Sequence, residues 1–318
     1  MRAFWLLLLV LACPSGAPVA GERIYRLGEL AVSPASLEIT RSVTLPELAK
    51  LGFDEGRNLI LEERAGDAAA MPGLARELLL TKPDVVMAIG ADAIRAATEA
   101  TTEVPIVMFG ASPVGKGLAA SLAHPGSNVT GVVILATELD GKRLDLLREA
   151  VPRARRIAAL LLPSAPLRQA SEREMRDVAA STGVELLPFD AGGPEDYPAA
   201  FAAMRAAGAQ AVVVMAHATF NRDAALLARL ALEAGLPTVC EWAEMAQSGC
   251  LLGYGPSRSE LRRRTAHLVA QIFRGAPPGD LPIEQPTHYE FAINLKTARA
   301  LGLTIPQSIL GRADEVIE

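Results

Sequence analysis

Lys82–Gly110 reads KPDVVMAIGADAIRAATEATTEVPIVMFG, and Ala209–Glu241 reads AQAVVVMAHATFNRDAALLARLALEAGLPTVCE. The two stretches share one plan. An apolar run, Val85–Ile89 or Ala211–Met215, leads into a short polar loop and a helix-like segment, and a proline, Pro105 or Pro237, opens a second apolar run. The runs are continuous rather than alternating, so both faces of the sheet they form must be covered. Such strands separated by helices specify an α/β architecture with parallel sheets, and two copies of one unit specify two similar lobes.

Short runs rich in Val, Ile and Leu extend the pattern at Arg23–Leu30, Ile106–Phe109, Ile157–Leu162, Val184–Phe189, Pro237–Cys240 and Leu251–Tyr254. Leu139, Leu146, Leu147 and Ala150 share a face of a helix that Thr137 caps, with Asp140 three residues on as the partner of a weak capping box. A later helix buries Leu261, Thr265, Leu268, Val269 and Ile272, which leaves Arg258, Arg262, Arg263 and Arg264 as a solvated polar face. In parallel α/β sheets ligands sit outside the carboxyl ends of the strands. The loops there hold Gly90, Asp92, Ser112, His217, Thr219, Asn221, Glu241, Trp242 and Tyr254, and the first strand adds Ser33 and Ser36. Trp242 and Tyr254 fit either a core or a cleft at these strand ends.

The chain has 318 residues, half of them hydrophobic, and a formal net charge of -5. That length suits two cores rather than one. The charge argues against a nucleic-acid binder, which would show a basic excess. Met1 and Arg2 give a positive start, Phe4–Ala12 (FWLLLLVLA) is wholly apolar, and small residues follow, so residues 1–21 read as a secretory signal cleaved after Gly21. Val10–Cys13 also resembles a lipobox, whose cysteine would be acylated. The other cysteines, Cys240 and Cys250, end one strand-like run and open the next. On parallel strands that puts their sulfurs at opposite edges of the sheet, so two buried free thiols are expected.

Two motifs fall short of catalysis. GASPVGKG (Gly110–Gly117) nearly matches a phosphate-binding loop, but Gly117 stands where the metal-binding hydroxyl belongs. The same segment half-matches a nucleophile elbow around Ser112, with Val114 in place of the second glycine. A secreted serine hydrolase using Ser112 is the alternative from a different class. The four histidines, His124, His217, His267 and His288, show no paired ligand spacing, so neither a metal nor another cofactor is expected.

The C-terminal stretch DLPIEQPTHYEFAINLKTARALGLTIPQSILGRADEVIE (Asp280–Glu318) resembles the closing segment of the bacterial ABC-transporter substrate-binding family whose relatives include tryptophan and tyrosine binders. LGFDEGRNLILEER (Leu51–Arg64), SPVGKGLAASLAHPGSNVTGV (Ser112–Val132) and LDGKRLDLLREAVPRARRIAALL (Leu139–Leu161) agree in order. The resemblance implies a type 1 periplasmic binding protein, with two Rossmann-like parallel-sheet lobes joined by a three-strand hinge. It places residues 22–131 and 254–279 in the N-terminal lobe and 132–253 and 280–318 in the C-terminal lobe. It also implies a monomeric periplasmic protein that is not an enzyme, captures a small-molecule solute, and delivers it to an ABC permease and its ATPase. A sensor passing its signal to a membrane receptor would share the same residues.

Departures from the family pattern fall at Gly90-Ala91-Asp92, Ala111-Ser112-Pro113 and His217–Thr219, all pocket positions, and Ser33–Leu48 is compressed. The residues suit an amino acid. Ser112 and the amides after Gly90 would bind a carboxylate, Asp92 or Glu241 an ammonium, and Trp242 and Tyr254 an aromatic group. No lysine or arginine is expected to face the cleft.

Overall fold

A computed structural model describes residues 23–110 and 117–318. The signal sequence, the lipobox with Cys13, and the turn carrying Ser112 lie outside the described residues.

The first sheet contains β1 (Tyr25–Ala31), β2 (Leu59–Ala65), β3 (Val85–Ile89), β4 (Ile106–Gly110) and β5 (Val129–Val133), all parallel in the order β2-β1-β3-β4-β5. Its helices are α1 (Pro34–Ile39), α2 (Leu45–Lys50), α3 (Met71–Leu80) and α4 (Ala91–Ala100). The next segments are α5 (Ala136–Ala150), α6 (Arg168–Thr182), α7 (Tyr197–Ala206), α8 (Ala218–Arg222), α9 (Ala224–Glu233) and α10 (Glu244–Gln247). They alternate with β6 (Arg156–Leu161), β7 (Glu185–Asp190), β8 (Ala211–Val214), β9 (Thr238–Cys240) and β10 (Leu252–Pro256). The chain ends with α11 (Arg258–Phe273), β11 (Tyr289–Asn294), α12 (Leu295–Ala300), α13 (Gln307–Leu310) and β12 (Glu315–Ile317).

The second sheet has the order β12-β11-β10-β9-β8-β6-β7, with β10 and β11 antiparallel and the other pairs parallel. Its first five strands in chain order repeat the arrangement of the first sheet. The sequence repeat is therefore a topological one: β3-α4-β4 and β8-α8-α9-β9 occupy equivalent places in the two sheets. Both faces of the first sheet are covered, as its continuous apolar strands require. Leu27, Val85 and Met87 pack on one side, whereas Leu30, Val86 and Ala88 pack with Met71 and Leu78 of α3 on the other.

The chain passes between the sheets three times, at Ile134–Leu135, at Ser257 and along residues 284–288. Neighbouring crossings are bonded. Glu284 N–H donates to Gly131 O at 2.9 Å, Val133 N–H donates to Glu284 O at 2.9 Å, and Ser257 N–H donates to His288 O at 3.0 Å. After the second crossing α11 returns to the first sheet and packs across β3, β4, β5 and the α1–α2 segment. Between α1 and α2 the helix is wound as a π turn over Thr40–Thr44, with Leu45 N–H reaching Thr40 O. Pro46 follows in the next helical turn, where it has no N–H to bond Ser42 O, and a proline inside a continuous helix forces a local rewinding of this kind.

Three local expectations are corrected. Thr137 does not cap α5: the helix begins one residue earlier behind Leu135, whose φ is +50°, and the Thr137 hydroxyl donates to Glu138 instead. Asp140 is no capping-box partner either. It is fully buried and accepts from Arg143 Nη1 at 2.7 Å. Cys240 and Cys250 are joined in a disulfide with Cα atoms 6.5 Å apart. The free-thiol expectation fails because β9 is only three residues long, and Leu251 N–H is held by Thr238 Oγ1 at 3.2 Å, so the chain entering β10 runs close beside Thr238.

The disulfide closes the loop that carries Glu241, Trp242 and α10. Closing a loop of this length removes unfolded-state freedom worth about 2–3 kcal/mol. The double variant Cys240→Ala/Cys250→Ala should lose stability of that order in urea denaturation, with a slope against urea equal to or slightly steeper than the wild type's, because the released loop lets the unfolded chain expand.

Candidate functional site

The carboxyl ends of β3 and β4 meet those of β8 and β9 across a cleft of about 830 Å³, its open mouth included. Gly90 ends β3 at φ +94°, a conformation that favours glycine, and a Cβ there would meet Val32 Cγ2 at 3.0 Å. The turn starts α4 without a side-chain cap. The first intrahelical bond is Ile94 N–H to Gly90 O, so the N–H groups of Ala91, Asp92 and Ala93 precede it and remain available as donors to an anion. Asp92 is buried in the first turn of α4 and accepts from Arg95 Nη2 at 3.0 Å.

Two aromatic rings come from opposite sheets. Phe109 at the end of β4 and Trp242 just after β9 lie 6.5 Å apart between centroids, with planes inclined by 24°. The Arg262 guanidinium lies 4.9 Å from the Phe109 centroid and that of Arg258 lies 5.3 Å from the Trp242 centroid. The Glu241–Trp242 backbone is drawn onto β10 because Gly253 and Gly255 have no side chains. A Cβ on Gly253 would stand 2.3 Å from Trp242 O, and one on Gly255 would stand 2.2 Å from Glu241 O.

Charge in the site is set by burial. Burial pushes the Glu241 carboxyl up to about 7, opposed by Arg143 and Arg258, with Asp140 adding to the rise. Arg143 lies buried behind it and donates to Tyr254 O at 2.8 Å, to Asp140 Oδ1 at 2.7 Å and to Glu241 O at 3.2 Å. His217 caps α8 by accepting the Thr219 N–H at Nδ1, 3.1 Å, which leaves the ring proton on Nε2. Burial pushes its pKa down, against the opposing pull of Asp92 from the first sheet. In the first sheet, burial raises the Glu29 carboxyl to about 7 and lowers the fully buried Arg262 to about 10, so Arg262 stays cationic at neutral pH.

Ser36, Gly90, Asp92, His217, Glu241 and Trp242 line the cleft, as does Asn221. Ser33 is buried at the start of α1, its Oγ 3.4 Å from that of Ser36, and Thr219 acts through the backbone bond to His217. Tyr254 does not line the cleft. Its neighbours Gly253 and Gly255 face the Glu241–Trp242 loop, so alternation along the strand turns Tyr254 the other way, where it stacks on Tyr289 at 6.1 Å. Ser112 lies outside the described residues. Sequence reasoning missed Phe109, Arg258 and Arg262, and its solvated arginine face holds only in part: Arg263 and Arg264 are exposed, whereas Arg258 and Arg262 line the cleft. A signal was present, since Arg258, Arg262, Thr265 and Val269 recur at the i, i+4, i+7, i+11 spacing of one helix face.

Two α/β sheets with repeated topology, three crossings and a shared cleft at their strand ends define a type 1 periplasmic binding protein. The chain belongs to the ABC transporter substrate binding protein family, whose model matches residues 30–317. The tyrosine-binding protein of Clostridioides difficile (strain R20291) is 23% identical over 275 residues, which are 86% of this chain and 79% of that protein. A conserved domain protein from Vibrio cholerae matches with a TM-score of 0.86 and 26% identity, over 92% of this chain and 100% of the other. An ABC domain from Streptococcus pneumonia in complex with L-Trp matches with a TM-score of 0.84 and 24% identity over the same shares. A ligand-free, open substrate binding protein from Clostridium difficile matches with a TM-score of 0.67 and 21% identity, over 92% and 99%. Among the described residues no helix is long and apolar enough to cross a membrane.

The raised carboxyl of Glu241 has a pH signature in the unliganded protein. Unfolded, the group ionises near 4.5, whereas folded it keeps its proton to about 7, so between these values the folded state binds more protons. Its contribution to stability is complete below 4.5 and is lost as pH rises through 7. The thermal midpoint of Glu241→Gln should therefore fall less steeply than that of the wild type between pH 5 and 7.5. Parallel profiles would contradict the assignment.

Proposed function

We propose that this protein is the extracytoplasmic solute-binding component of an ABC importer, and that its solute is an amino acid with an aromatic side chain. The observation that carries the reading is the pair of near-parallel rings, Phe109 and Trp242, one from each sheet and 6.5 Å apart. Carbon atoms in contact are separated by about 3.5–4 Å, so a flat ring entering between the two needs about 7 Å. A small opening of the sheets makes that room, and the inserted ring then bridges them. Solute and closure are coupled because the sandwich is complete only when both rings are engaged.

The polar groups suit the rest of an amino acid. The N–H groups at the start of α4 can donate to an anion, and Asp92 and Glu241 offer carboxylates to an ammonium. The relative that binds tyrosine and the structural neighbour in complex with L-Trp support this solute class. In this reading the moving lobes divide at the three crossings, a few residues beyond the expected 131/132, 253/254 and 279/280 boundaries, because β5 stays in the first sheet to Val133 and β10 in the second to Pro256. The signal sequence takes the protein to the periplasm, and a permease with its ATPase receives the solute. The work is capture and delivery, with no bond made or broken.

Calorimetric titration with the amino acids should show binding of tryptophan, tyrosine or phenylalanine. Trp242→Ala should weaken it by about tenfold, since an aromatic pair contributes roughly 0.5–1.5 kcal/mol beyond burial. Any small aliphatic amino acid that binds should lose less. A purified protein that retains a sugar or a purine and ignores aromatic amino acids would defeat the assignment.

A further inference from the structure

We infer that Arg262 is the receptor for an acidic group on the solute, so that the protein selects carboxylate-bearing molecules through one buried guanidinium in the wall of its first sheet. The inference rests on the solute-binding reading and specifies the chemistry of the same cleft.

Arg262 is 1% exposed yet lines the cleft, and its donors are incompletely used. Nη2 donates to Ser36 O at 2.8 Å, while Nη1 is buried without a hydrogen-bond partner among the described residues. The neighbouring carboxylate does not supply one. Glu29 Oε1 is 3.9 Å from Nη2, beyond hydrogen-bond range, and instead accepts from the Thr40 hydroxyl at 2.8 Å. Glu29 thus offsets the charge at a distance and leaves the guanidinium edge unmet. One face of the guanidinium lies over Phe109, an arrangement that leaves the edge free for the bidentate bond guanidinium groups make with carboxylates. Buried polar groups are nearly always satisfied, and of the unmet atoms here, Glu29 Oε2 among them, Arg262 Nη1 is the donor carried by a cleft-lining residue, where a ligand can complete the set.

A purely structural role would be the Glu29–Arg262 pair tying α11 to β1. A buried ion pair is weak support for stability, and an apolar residue on this helix face would pack at least as well. The two roles differ in what they do to selectivity.

The test uses L-tryptophan, indole-3-propionate and tryptamine titrated calorimetrically into the wild type, Arg262→Gln, and Glu29→Gln/Arg262→Gln. The double variant removes both buried charges, so that neither is stranded, and thermal unfolding monitors the fold. The wild type should bind both acids and hold tryptamine about a hundredfold more weakly. Both variants should lose on the order of a hundredfold for the acids and leave tryptamine unchanged. Equal wild-type affinity for tryptamine and tryptophan, or a folded double variant that keeps the acids, overturns the inference. If none of the three indoles binds the wild type, the aromatic reading fails, and thermal-shift assays of non-aromatic carboxylates against their amides decide. Stabilisation by acids alone that disappears in Arg262→Gln upholds the receptor, whereas stabilisation by amides equally, or by nothing, overturns it.

Discussion

A guanidinium taken out of water must have its donors met, and each sheet of this protein places one such group behind the cleft. In the second sheet Arg143 is fully committed, reaching Asp140, the carbonyls of Tyr254 and Glu241 and, at 3.4 Å, that of Ala136. These contacts tie α5 to the end of β9 and to β10, so the loop bearing Glu241 and Trp242 is fixed from behind. In the first sheet Arg262 has one carbonyl, one aromatic face and a carboxylate at arm's length. The same side chain is scaffold in one sheet and an open binding group in the other, and the difference lies in how many of its N–H groups the protein itself satisfies.

Strand chemistry made most of the fold legible. The repeated unit with Pro105 and Pro237 landed at equivalent places in the two sheets because a continuous apolar run can only be a covered strand. The carboxyl-end rule also placed Gly90, Asp92, His217, Glu241 and Trp242 on the wall of the cleft, since a residue directly after a buried strand has little freedom in where it points. Tyr254 was misplaced because it lies within a strand, where orientation depends on register, and the glycines on either side held the needed clue. The disulfide was hidden for a related reason: the path of the chain just before β10, where Leu251 N–H reaches Thr238 Oγ1, brings Cys250 within 6.5 Å of Cys240, and strand direction alone does not reveal it.

The arginines were illegible for a different reason. Four in seven residues on one helix read as a solvated face, and two of them, Arg263 and Arg264, are exposed. Composition cannot separate them from Arg258 and Arg262, whereas helical periodicity can, because the latter share a face with Thr265 and Val269. Helix α11 presents that face to the first sheet although it follows a strand of the second, so its burial depends on the chain crossing at Ser257. A long-range topological fact thus decides which charges are solvated.

On the proposed reading, the distribution of charge gives the cleft its selectivity. The first sheet contributes Arg262 and the amides of α4, and the second contributes Glu241, whose carboxyl is raised by burial to about 7 and so exchanges its proton readily at neutral pH. An incoming ammonium draws that carboxyl into its ionised form, and an incoming carboxylate meets the unfilled edge of Arg262. A solute without a carboxylate closes the sheets over an unmet Arg262, and a stranded buried charge is far more costly than a missing attraction is helpful, whereas a solute without an ammonium leaves Glu241 protonated. Discrimination then comes from what is left unsatisfied, and sites built that way reject analogues more strongly than apolar fit alone allows. The rings of Phe109 and Trp242 determine which side chain is accepted, while the buried guanidinium of Arg262 determines that it must be carried by an acid.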